Sequence, residues 1–140
     1  MKKTSQKGFS LIELLLVVTI IGSIAAIGVP YLKKAKYAAE NASMYATMRT
    51  LASTELSFYS NNNRYATLTE ISSSNPSMFG TLTGTTLKRG SFTIDMAVTN
   101  PADPSLKSNF TITATKTIDA SDLPYQIAVS GDGRIVQLLP

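Results

Sequence analysis

From Leu14 to Leu32 nineteen consecutive residues carry no charge. An α-helix needs about 20 apolar residues to cross the hydrocarbon core of a bilayer. With Phe9 to Ile12 added, the segment is long enough to span. No other stretch constrains the fold as strongly, because an apolar helix of this length must lie in lipid or be covered by protein. One carboxylate, Glu13, interrupts its start. At a bilayer centre a charged group costs roughly 2.5–3.5 kcal/mol, and groups kept there are usually functional. The alternative for Glu13 is that it snorkels to the headgroups.

The flanks leave orientation open. Lys2, Lys3 and Lys7 precede the segment, and Lys33, Lys34 and Lys36 follow it. A secretory signal peptide is one reading, with Leu14–Gly22 as its apolar region and Ser23-Ile24-Ala25 as a small-x-small cleavage site. Two features oppose it. Glu13 burdens the edge of that apolar region, and a helical pattern continues past the supposed cut. Residues Tyr31, Ala35, Ala38, Ala42, Tyr45, Met48 or Arg49, Ala52, Leu56 and Tyr59 recur every three or four positions, which marks one helix face. Asn61-Asn62-Asn63 gives the stop. A helix from Phe9 to Ser60 would be roughly 78 Å long. Gly22, Gly28 and Pro30 weaken its middle, since Pro30 removes the hydrogen bond to the carbonyl of Ala26. They mark either a soft point where the helix bends or unwinds, or the ordinary Gly and Pro content of membrane helices.

Residues 7–16, KGFSLIELLL, resemble the processing site of type IV pilins and pilin-like proteins: a short basic leader, Gly8, then Phe9, then Glu13 four residues on, then an apolar helix. The resemblance covers the first 30 or so residues. It implies that residues 1–8 are a leader, that a prepilin peptidase cuts between Gly8 and Phe9, and that the same enzyme methylates the new amine of Phe9. Residues 9–32 would then anchor the precursor in the bacterial inner membrane. The pilus assembly machinery would later draw it into a helical homo-oligomer, an extracellular filament with the N-terminal helices at its core. The resemblance further implies that Glu13 faces the Phe9 amine of a neighbouring subunit. Methylation keeps that amine charged. Two buried unlike charges that meet are tolerable, whereas either one alone is costly, so the pair would set the register of assembly.

Residues 33–140 would form the globular part. The second half of the helix (33–60) is amphipathic and wants a sheet to cover it. Residues 61–90 read as loop, from Arg64-Tyr65-Ala66-Thr67-Leu68 through Ser72-Ser73-Ser74-Asn75-Pro76 and several glycines. This corresponds to the αβ-loop of pilins, which is exposed between subunits. The serine run is a glycan candidate or plain linker. Residues 91–140 alternate in four runs: Ser91–Thr99, Asn109–Lys116, Tyr125–Ser130 and Ile135–Leu139, with Ser130-Gly131-Asp132-Gly133-Arg134 as a tight turn. The expected fold is α+β, a long N-terminal helix on a four-stranded antiparallel sheet, in agreement with the pilin fold.

Composition excludes several functions. There is no cysteine and no histidine. This removes disulfides, Cys–His and Ser–His–Asp catalysis and His-ligated zinc. Many pilins close their C-terminal region with a disulfide; here Ile118–Arg134 needs packing and hydrogen bonds instead. Asp119, Asp122 and Asp132 match no calcium loop, so no metal or cofactor is expected. The formal charge is +4, but loss of residues 1–8 leaves ten basic against nine acidic residues, so the balance argues little for nucleic acid. Lys88, Arg89, Lys107 and Lys116 are the candidates for a DNA-uptake surface, and no aromatic stacking pattern accompanies them. The expected function is a structural subunit, not an enzyme: a type IVa major pilin serving adhesion, twitching motility or DNA uptake. The alternatives are a minor pilin and a pseudopilin of type II secretion.

Overall fold

The computed structural model describes residues 8–116 and 125–139. Helix α1 runs from Leu11 to Asn62. The chain divides into two units, one up to Ala39 and one from Glu40.

In the first unit the apolar side chains of α1, from Leu11 to Leu32, are exposed. The helix continues without interruption through Gly22, Gly28 and Pro30. Around Gly22 and Gly28 an added Cβ would meet nothing within 4 Å. Packing within this unit therefore does not require glycine at either place. Thr19 and Ser23 donate their hydroxyls to the carbonyls of Leu15 and Thr19, both at 2.8 Å. Polar side chains satisfied inside their own helix are what a lipid environment demands.

The second unit is α+β. The stretch of α1 from Glu40 packs on an antiparallel sheet, and Asn63 ends the helix in the left-handed region at φ 53°, where Asn is tolerated. The sheet has six strands, not the expected four: β1 (Thr81–Thr83), β2 (Thr86–Arg89), β3 (Phe92–Met96), β4 (Thr111–Lys116), β5 (Gln126–Ser130) and β6 (Ile135–Leu139), in the spatial order β1 to β6. The four expected strands correspond to β3–β6. The added pair, β1 and β2, lies in the stretch expected to be loop. That stretch also holds a second helix, α2 (Leu68–Ser74), so Ser72, Ser73 and Ser74 are helical. A 3-10 turn, Pro104–Lys107, lies in the connection between β3 and β4.

The core is one cluster. It joins Met44, Met48, Leu51 and Ala52 of α1 to Phe92, Ile94 and Met96 of β3, Ile112 and Ala114 of β4, and Ile127 and Val129 of β5. The strand residues alternate buried and outward, as half-covered antiparallel strands do. The helix face differs from the expectation. The buried row is Met44, Thr47, Met48, Leu51, Ala52 and Glu55. Tyr45 and Leu56, from the expected face, are 46% and 47% exposed. The face is rotated by one position, and a carboxylate lies within it.

Candidate functional site

Gly8, Phe9 and Ser10 are exposed and precede the helix. The Gly8–Phe9 peptide bond is thus outside regular structure and open to an enzyme. The first helical turn closes with the amides of Glu13 and Leu14 donating to the carbonyl of Ser10 at 3.1 and 3.2 Å. Glu13 falls in this first turn, where a carboxylate is favoured by the helix dipole. Phe9 is 79% exposed. Phe9 and Glu13 stand four residues apart at one helix end. α1 is the one helix among the described residues long and apolar enough to cross a membrane. Lys2, Lys3 and Lys7 lie outside the described residues.

The other candidates are not brought together. Lys116 is buried, with its Nζ 3.5 Å from Glu40 Oε2. Arg89 donates from Nη1 to the carbonyl of Met78 at 2.6 Å. Only Lys88 and Lys107 of the four cations are exposed, one on β2 and one at the end of the 3-10 turn. Asp132 Oδ1 accepts from Ser130 Oγ at 2.7 Å and from the amide of Arg134 at 3.0 Å. Those bonds hold its carboxyl below the ordinary range and account for it within the β5–β6 turn. Asp119 and Asp122 lie outside the described residues. Among the described residues no cluster of acidic side chains could hold a metal ion.

Sequence reasoning missed a polar junction at the far end of α1. Thr67 caps α2: its Oγ1 accepts from the amide of Glu70 at 3.3 Å, while Glu70 Oε2 accepts from the amide of Thr67 at 2.9 Å. Arg64 grips the same carboxylate with Nη1 at 3.0 Å and Nη2 at 2.6 Å, and its guanidinium lies 5.2 Å from the Phe58 ring centre. This bidentate pair, helped by the Thr67 bonds, holds Glu70 down to about 2. The T-x-x-E spacing from Thr67 to Glu70 is the sequence signature of such a capping box, so this element was readable. Beside it Glu55 is fully buried.

Residues 3–29 match the family described as the prokaryotic N-terminal methylation motif. That motif is characteristic of type IV pilins and pseudopilins, and here it precedes a long apolar helix. The match supports a type IV pilin-like or pseudopilin protein and points to a structural one. The motif implies processing by prepilin peptidase, and with the apolar helix it suits a membrane-anchored precursor. The globular unit lies outside the match, and no solved structure matches the chain.

Proposed function

We propose that this chain is a structural subunit of a type IV pilus. The reading divides it into a leader (1–8), a membrane and filament-core helix (9–32) and a globular part (33–140). The observation that carries the reading is the accessible Gly8–Phe9 bond, followed within one turn by Glu13 and then by a bare apolar helix. Cleavage would create a cationic amine in apolar surroundings. Glu13 is the one described acidic group in that stretch able to neutralise it in a neighbouring subunit. Gly22, Gly28 and Pro30 are the positions where α1 would yield during packing into a filament.

Two measurements test the proposal. Intact mass of material sheared from native cells should correspond to residues 9–140 plus one methyl group. A chain beginning near Ala26, free in the medium, would overturn the reading. Glu13→Ala should be cleaved normally yet leave little filament, because an unpaired buried amine is strongly unfavourable. Wild-type filament from that variant would remove Glu13 from assembly. Minor pilins and pseudopilins share the motif, and subunit copy number in the sheared filament separates them from a major pilin.

A further inference from the structure

Glu55 lies in the apolar row of α1 with no exposed surface. One carboxyl oxygen, Oε2, accepts from the amide of Ala66 at 2.8 Å. The other, Oε1, is buried and has no hydrogen-bond partner. A carboxylate with one hydrogen bond and a second oxygen buried without a partner is strongly disfavoured. A neutral carboxyl fits far better, with its carbonyl oxygen accepting from Ala66. The contact is strategically placed. Ala66 adjoins Tyr65, whose amide donates to Leu106 at 2.8 Å, and Thr67, which caps α2. The Glu55–Ala66 bond therefore ties the start of the 63–75 segment to α1.

We propose that Glu55 is a proton-operated latch: neutral, it holds residues 63–75 on α1; ionised, it leaves the pocket and releases them. The titratable groups on the elements packed here are Tyr59 on α1, Arg64 and Tyr65 on the connecting segment, Glu70 on α2 and Lys107 on the 3-10 turn. Arg64 acts on Glu55 as a cation, but its fork is already committed to Glu70, whose own charge opposes a second carboxylate. Ionisation thus finds no ready partner in place. Burial pushes the Glu55 carboxyl up to about 7, against the opposing pull of the Ala66 amide. The sign follows. A carboxyl raised from 4.5 to about 7 favours the latched state fully below about 4.5, and that advantage falls away as pH rises from there through about 7. The latch does not depend on the chain being a pilin.

The test uses isotopically labelled full-length chain in detergent micelles, from about pH 5 to about pH 9, a span that brackets a buried carboxyl titrating near neutrality. The Glu55 carboxyl carbon and the Ala66 amide should shift together with one midpoint near 7. Between about 4.5 and about 7, hydrogen-exchange protection at Ala66 and Ile71, corrected for intrinsic rates, should fall by up to about tenfold per pH unit and then level off, while Ile112 in β4 keeps its protection. Glu55→Gln retains an acceptor for Ala66 and cannot ionise, so its protection should stay flat. A Glu55 midpoint near the ordinary 4.5, or the same loss of protection in Glu55→Gln, would overturn the latch. Should that variant fail to fold, the wild-type titration decides alone: a parallel loss at Ile112 would mean global loosening and also overturn it.

Discussion

The segment between α2 and β1 offers a sharp test of how the second unit is held together. Phe79 is 2% exposed and is among the largest fully buried side chains. Its backbone setting is unfavourable. Ser77 sits at φ 66° and Gly80 at φ 127°, so two left-handed turns flank the residue. A non-glycine residue in that region costs roughly 1–2 kcal/mol. The chain holds this shape because it places the Phe79 side chain in the core cluster. Truncating a buried Phe to Ala typically destabilises by about 3–5 kcal/mol, the lost transfer energy plus the cavity left behind. The strain at Ser77 is common to both proteins and cancels from the difference, so the expected loss is that of the emptied core site alone. A domain of this size has roughly 5–15 kcal/mol in total, so the variant would lose a large fraction of its stability.

Met78, one residue earlier, is 51% exposed and serves as the control. Met78→Ala should fall within about 0.5 kcal/mol of the parent. Urea unfolding of the full chain in micelles, followed by the near-ultraviolet circular dichroism of its six tyrosines, reads both variants on one scale. A loss below about 1 kcal/mol for Phe79→Ala, well under the usual cost of an emptied core site, would refute the reasoning. So would equal losses for the two variants. Either result would mean that residues 75–80 behave as the plain loop their composition suggests.

Two further predictions concern the same unit. Glu70, held down to about 2 chiefly by its hydrogen bonds from Arg64, should give stability that is present above about 4.5 and lost as pH falls towards about 2; with both side chains a quarter or more exposed, the acid loss should be about 1 kcal/mol, and Glu70→Gln should show no such limb in acid unfolding curves. Gly80→Ala should destabilise by at least about 1–3 kcal/mol, because its Cβ would press into the carbonyl of Lys88 on β2 and its φ of 127° suits glycine alone; an unchanged thermal midpoint would show that β1 contributes nothing to the fold.

The legible parts of the fold were those with long, regular patterns. α1 announces itself over fifty residues, and β3, β4 and β5 each show apolar side chains at every second position, paired in register as Ile94↔Ala114 and Ala114↔Ile127. The strands missed are too short to show alternation. β1 and β2 carry one apolar residue each, Leu82 and Leu87, paired across a two-residue turn at Gly84, and a period of two needs at least two apolar residues in one strand to be seen. α2 was hidden because serine and threonine dominate it and suggest loop, although the capping box at Thr67 and Glu70 marked its start. The processing segment was legible because a peptidase reads local sequence, and local sequence is all a single chain displays. Glu13 is different in kind. Its proposed partner belongs to another subunit, so no contact within one chain can reveal its role.

The rotated face of α1 has the same origin as the latch. Between Met44 and Tyr59 the helix carries two apolar rows one position apart, Met44–Met48–Leu51–Phe58 and Tyr45–Ala52–Leu56–Tyr59. Hydrophobic patterning favours the second row, because the first contains Glu55 and a charged residue is almost never fully buried without a partner. The fold nevertheless buries Met44, Met48 and Leu51 of the first row, and only Ala52 of the second. The reason lies in what each row offers to a sheet. Met44, Met48 and Leu51 are slender, flexible or branched side chains that share one core cluster with Ile94, Ile112 and Ile127, while Tyr45 needs water or a partner for its hydroxyl. Burying Glu55 becomes tolerable once the carboxyl is neutral and Ala66 supplies a donor. A group that patterning rejects from the core is thereby admitted by taking up a proton, and the assignment of the face and the proposed release near neutral pH rest on one residue.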